Sequence, residues 1–205
     1  MGTDISNKFA LIVNGDQEPR HLDNVDRAVA AFRQEGPYEI SVLSPEQPSA
    51  PVEHYSEASD AGLERLLSGL GGRIRAEDLL SVYVTGHGGL DKDTGEACIA
   101  LPSTCPTLDS FAQGLNALPF KRRLVVMDQC KGGDGLRPFA KPNSVVVTLG
   151  GPGENVQCQT FSPFFWSQQA RDANGDGLLT IEERFRYAIE EGMPPSKPQF
   201  YQPGK

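Results

Sequence analysis

Leu79-Leu80-Ser81-Val82-Tyr83-Val84-Thr85 runs directly into Gly86-His87-Gly88-Gly89. A mostly apolar, β-branched stretch followed by glycines reads as a strand that ends in an open turn, and the turn carries a histidine. The same grammar recurs on both sides. Phe9-Ala10-Leu11-Ile12-Val13 is a continuous apolar run closed by Asn14-Gly15, the pattern of a strand buried on both faces. Tyr38 to Leu43 supplies another strand. Leu124 to Met127 ends at Asp128-Gln129-Cys130, and Ser144 to Leu149 ends at Gly150-Gly151-Pro152-Gly153. Between these strands, apolar residues fall at helical spacing: Val25, Ala28, Val29 and Phe32, then Leu63, Leu66, Leu67 and Leu70, the latter stopped by Gly71-Gly72. A further helix is expected from about Leu108 to Leu118. Repeated strand–helix alternation predicts an α/β fold, a three-layer αβα sandwich around a mainly parallel sheet. Ala97 to Leu101 reads as a short strand. Ser44 to Ser59, with three prolines, reads as a loop.

The 205 residues suit one domain over 1–193, followed by a Pro-rich, extended tail over 194–205. The net charge of −8 excludes the clustered basic surface that binds phosphate backbones, so no nucleic-acid partner is expected. No apolar run approaches the ~18 residues of a membrane span. Phe9 to Val13 is too short for a signal-peptide core, so a cytoplasmic location is expected. The cysteines are Cys98, Cys105, Cys130 and Cys158. Their even count permits disulfides, but a chain of this size does not need them. The histidines, His21, His54 and His87, are scattered, and no CxxC occurs. A structural zinc site is therefore not expected.

Parallel sheets place their sites beyond the carboxyl ends of the strands. His87 and Cys130 both occupy such ends. If their strands are neighbours, the two loops lie about 5 Å apart. A free thiol is only about 3% thiolate at pH 7, and a nearby imidazole can raise that fraction or shuttle protons during acyl transfer. Gly88-Gly89 leaves room for a substrate and offers backbone N–H groups to an oxyanion.

Tyr83-Val84-Thr85-Gly86-His87-Gly88-Gly89 resembles the histidine motif of the caspase-like cysteine peptidases, which include legumain, metacaspases, caspases and the GPI-transamidase catalytic subunit. Val125-Val126-Met127-Asp128-Gln129-Cys130-Lys131-Gly132-Gly133 resembles their nucleophile motif. His87 precedes Cys130 by 43 residues, similar to the roughly 50 of caspases. The resemblance spans about residues 8 to 170. It implies a caspase-like sandwich and a cysteine endopeptidase acting on peptide or protein substrates. His87 would be the general acid/base and Cys130 the nucleophile. The N–H groups of Gly88 and Cys130 would form the oxyanion site. It further implies that Asp128 points into the S1 pocket, favouring a basic P1 residue. Arg20 and His21, in Pro19-Arg20-His21-Leu22, resemble the S1-lining pair of legumain, although Glu18-Pro19 stands where legumain has Asn-Tyr. If Arg20 reaches the pocket, it neutralises Asp128 and P1 Asn becomes the alternative. Two other readings stay open: a non-catalytic calcium-dependent binding module, and a transamidase or ligase using the same acyl-enzyme.

Residues Asp172 to Glu183 match the EF-hand calcium loop. Oxygen ligands fall at Asp172, Asn174 and Asp176, Gly177 takes the turn, and Leu178 offers its carbonyl. Thr180 follows, and Glu183 supplies the bidentate carboxylate. A hard, oxygen-only donor set with three carboxylates suits Ca²⁺. Phe164, Phe165 and Trp166 before the loop, and Phe185, Ala188 and Ile189 after it, predict a helix-loop-helix. The oligomeric state is not legible in the sequence.

Overall fold

Alternate residues of the first strand face two different cores. In β1 (Lys8–Asn14), Phe9, Leu11 and Val13 pack on one side of the sheet, and Ala10 and Ile12 on the other. The burial pattern is the one that a near-continuous apolar run demands. The structure, a computed structural model, describes residues 5–157, 160–170, 172–173, 175 and 179–204.

The strands after β1 are β2 (Tyr38–Ser44), β3 (His54–Glu57), β4 (Leu79–Thr85), β5 (Gly88–Leu90), β6 (Ala97–Ile99), β7 (Arg122–Asp128), β8 (Ser144–Thr148) and β9 (Gln199–Tyr201). Seven of them form one sheet in the order β3-β2-β1-β4-β7-β8-β9. All its pairings are parallel except the last, β8 with β9. β5 and β6 form a separate antiparallel hairpin.

The helices are α1 (Pro19–Gln34), α2 (Asp60–Arg73), α3 (Leu108–Asn116), α4 (Leu136–Phe139), α5 (Ser162–Phe165) and α6 (Ile181–Gly192). The chain leaves β1 toward β2 through α1, and returns from β3 to β4 through α2. Right-handed crossovers running in opposite directions must place their helices on opposite faces. Accordingly α1 packs with Ala10, Ile12 and Val42, whereas α2 and α3 pack with Phe9, Leu11 and Val82. α4 adds Phe139 to the second face, and α5 and α6 add Phe165 and Ala188 to the first. The result is helix, sheet, helix, in agreement with the three expected layers.

Four sequence expectations change. β3 lies inside the segment expected to be a loop; it is a short, half-polar edge strand whose alternation is masked by nearby prolines. α2 runs through Gly71-Gly72 and ends one residue later, at Arg73. The tail after Pro194 is not an appendage, because β9 hydrogen-bonds to β8 and Ser196 Oγ donates to Leu149 O at 2.6 Å. Cys98 and Cys105, not expected to need one another, form a disulfide.

Candidate active site

The sheet order reverses between β1 and β4: β2 lies beyond β1, and β7 beyond β4. Open α/β sheets form their cleft outside the carboxyl ends at such a reversal. Asn14, Thr85 and Asp128 lie in register across β1, β4 and β7. The next residues of each strand therefore project side by side.

There the structure assembles the residues expected from sequence. Arg20, His21, His87, Asp128 and Cys130 line one cavity of about 50 Å³, together with Gly86, Gln129 and Val156. Gly88 joins the loops directly. A Cβ there would stand 1.8 Å from the carbonyl oxygen of Cys130, so only glycine allows this approach. Ala100 N–H donates to His87 O at 3.0 Å, and the Gln129 amide donates to Cys98 O at 3.2 Å. The disulfide-closed segment 98–105 thus braces both loops.

Cys130 is partly exposed and is outside any disulfide. Val156 N–H donates to its Sγ at 3.4 Å, and Sγ–H reaches Val156 O at 3.6 Å. No hydrogen bond joins Cys130 to His87 among the described residues; such contacts commonly tighten only with substrate. The Cys130 N–H has no acceptor among the described residues, which leaves it available to an oxyanion.

Nε2 of His87 lies 3.1 Å from Asp16 Oδ2 and 3.1 Å from Glu18 Oε1. Sequence reasoning missed both carboxylates. Asp16 follows the end of β1 by two residues, as His87 follows the end of β4, but nothing local marks it or Glu18 as more than an acidic turn.

His21 is 2% exposed in the first turn of α1. Gly86 N–H donates to its Nδ1 at 3.1 Å, and Thr85 Oγ1 lies 3.1 Å from the same nitrogen. Burial, opposed in part by the nearby Asp16 carboxylate, pushes its pKa down to about 4. Asp16, His21 and His87 bring ligand-type atoms within 4.8 Å of one another. The acceptor nitrogen of His21 is already spent on Gly86 N–H, however, which disfavours this group as a metal centre.

Asp128 is fully buried, and burial pushes its carboxyl well above the usual carboxylate range against the hydrogen bonds from Ser162 and Tyr83. Tyr83 O–H donates to Oδ2 at 3.3 Å, and Ser162 O–H donates to the same oxygen. Oδ1 of Asp128 and Oε1 of Gln129 are both buried and have no hydrogen-bond partner among the described residues. Arg20 gives its charge to Glu18, at 2.6 Å, rather than to Asp128.

The segment after α5 is assembled differently. Glu183 sits at the third position of α6. Its carboxylate accepts from Thr180 N–H and Thr180 O–H, both at 2.9 Å, and from Ala173 N–H at 3.0 Å. Asp172 Oδ1 accepts from Gly175 N–H at 2.8 Å. Glu183 is thus tied to Thr180 and to Ala173, the residue after Asp172, while Asp172 itself closes a turn with Gly175. The expected ligands Asn174, Asp176 and Leu178 lie outside the described residues, as do Gly177 and Cys158. The entering helix is shorter than expected: α5 spans only Ser162–Phe165, and Trp166 is its C-cap.

No protein-family model and no curated protein matches the chain. Among solved structures it is similar to protein GSU0716 from Geobacter sulfurreducens, at a TM-score of 0.65 and 14% identity, over 98% of this chain and 94% of that one. At that identity the likeness is one of fold. No helix among the described residues is long and apolar enough to cross a membrane.

Proposed function

We propose that the protein is a caspase-like cysteine endopeptidase that cleaves peptide or protein substrates after Lys or Arg. One observation supports the choice of substrate: Asp128 Oδ1 and Gln129 Oε1, on two residues that line the cavity beside Cys130, are buried and have no hydrogen-bond partner among the described residues. A buried acceptor without a partner costs about 1–3 kcal/mol, and a Lys or Arg side chain brings several donors. The Arg20–Glu18 ion pair leaves Asp128 without a basic partner, so an entering cationic P1 side chain is the group that would draw its proton away and pair with it. A cavity of about 50 Å³ is smaller than either basic side chain. Substrate entry therefore requires the cavity to widen.

In the reaction, His87 takes the Cys130 thiol proton as sulfur attacks the scissile carbonyl. The N–H groups of Cys130 and Gly88 receive the oxyanion. The C–N bond breaks, His87 returns the proton to the leaving amine, and a thioester remains. His87 then takes a proton from the attacking water, the C–S bond breaks, His87 returns that proton to the Cys130 sulfur, and the acid product leaves.

Calcium is the cation we assign to the second region, on the donor chemistry of the described residues. Asp172, Thr180 and Glu183 present oxygen atoms, as a hard cation requires. They would hold Ca²⁺ with its charge balanced by the carboxylates, stabilising the entry to α6. The Cys98–Cys105 disulfide favours an oxidising compartment over the cytoplasmic one expected from the N-terminus.

The test is a P1-scanning fluorogenic peptide library with Cys130→Ala as control. Cleavage after Lys and Arg, reduced by about 10³-fold or more in the variant, is the expected result. Cleavage after Asn alone sinks the assignment of Asp128, and equal turnover by the variant sinks the peptidase reading.

A further inference from the structure

Two carboxylates converge on a single nitrogen of His87. Asp16 Oδ2 and Glu18 Oε1 each lie 3.1 Å from Nε2. A neutral imidazole carries one proton, on one nitrogen or the other. An unprotonated Nε2 would set its lone pair against both carboxylates, so the proton belongs on Nε2. Nδ1 then keeps the lone pair and is the nitrogen left to take the thiol proton of Cys130. We propose that Asp16 and Glu18 form a carboxylate clamp that fixes the tautomer and ring plane of His87, as positioning residues for the dyad; this rests on the reading of His87 as the base.

The two members are held by different means. The hydrogen bond from Nε2–H runs to Glu18 Oε1, and Asp16 flanks it. Asp16 is fixed by the backbone. Its Oδ1 accepts from Glu18 N–H at 2.7 Å. Its own N–H donates to Asn14 Oδ1, and its carbonyl accepts from Asn14 Nδ2, both at 2.9 Å. Asn14 ends β1, so the clamp is tied to the sheet. Glu18 is half exposed and is anchored by Arg20 at 2.6 Å. The other groups facing His87 are His21 from α1, with ring centroids 5.6 Å apart, and Cys130 and Asp128 across the shared cavity. His21, buried and neutral above about pH 4, adds no competing charge at neutral pH. Arg20 acts only through Glu18.

A purely structural role would be kept by the isosteric amides. Asn at position 16 can still accept from Glu18 N–H through Oδ1, but its NH₂ would then face Nε2 and drive the proton to Nδ1. The measurement is the histidine tautomer, read from long-range ¹H–¹⁵N spectra at neutral pH. The chain has three histidines, and His87→Gln assigns the signal. The native protein should show Nε2–H. The double variant Asp16→Asn/Glu18→Gln should shift toward Nδ1–H. Its kcat should fall by about 10²-fold with KM within about threefold. Alkylation of Cys130 by iodoacetamide should slow by a similar factor. Glu18→Gln alone touches a half-exposed side chain, so it probes the clamp with least risk to folding; it should shift the spectrum in the same direction. Unchanged tautomer signals in both variants overturn the clamp. If the native protein cleaves nothing, and His87→Gln leaves Cys130 alkylation unchanged, the peptidase reading fails instead, and the spectra still decide the clamp.

Discussion

The cleft at the ends of β1, β4 and β7 and the segment leading into α6 are both built on carboxylates, but their partners come from different distances along the chain. In the cleft, Glu18 meets His87 across 69 residues, and Asp128 meets Tyr83 and Ser162 across 45 and 34. Near α6, Glu183 bonds to Thr180, three residues away, and to Ala173, ten away. Asp172 bonds to Gly175, three away. The cleft therefore reports on the register of the whole sheet. The carboxylate bonds of the second region stay within its local chain, although the neighbouring Arg184 ties α6 to Glu35 at the end of α1.

Breaking that contrast at its strongest point means Gly88→Ala. The added methyl meets backbone, not a flexible side chain. We expect activity to fall by about 10²-fold or more and stability by about 2–3 kcal/mol, read by turnover and by urea unfolding. Retained activity would show that the two loops are not coupled.

Acid should also act on the cleft first. The folded pKa of His21, about 4, lies below the unfolded value of about 6.5. A depressed base gives stability that is complete above about pH 6.5 and is lost as pH falls toward 4, by about 3 kcal/mol in all. Unfolding at pH 7 and 4.5 should show this loss, and His21→Asn should flatten it.

Asp128→Asn separates function from stability. Burial raises the folded pKa of Asp128, so its contribution is complete below the unfolded value near about 4 and is lost as pH rises. Asn has no proton to lose. Cleavage after Lys or Arg should drop by about 10²-fold while Tm at pH 7 rises by about 3–8 °C. A lower Tm would mean that the carboxyl stabilises the fold.

The smallest effect belongs to the local region. Calcium at about 100 times its dissociation constant should add about 2.7 kcal/mol, a few degrees in Tm. Glu183→Gln should abolish that rise and leave cleavage without calcium intact. A variant that loses turnover as well would show that the two regions are not independent.

Legibility in the sequence follows the same division. The long strands declared themselves through Phe9–Val13, Leu79–Thr85 and Leu124–Met127, because burial on both faces demands uninterrupted apolar residues. β3 and β9 did not, since edge strands of three or four residues carry little periodicity. His87 and Cys130 were visible because glycines frame them at strand ends. Asp16 and Glu18 were hidden because an acidic turn looks solvated until its partner, 69 or more residues away, is in place. The Cys98–Cys105 pairing was hidden for a related reason. The length of the chain argued that no staple was needed, yet the bond closes the segment 98–105, which braces the two loops of the site.

The contact between Gly88 and the Cys130 carbonyl also works as an identifying mark. Any chain that shares this arrangement, however far it has drifted elsewhere, must keep the bare residue after its histidine or move its cysteine. A search for relatives can therefore score that one coupled position, histidine then glycine at one strand end and cysteine at the next. Such a filter sorts candidates at identities where the rest of the alignment has lost its meaning.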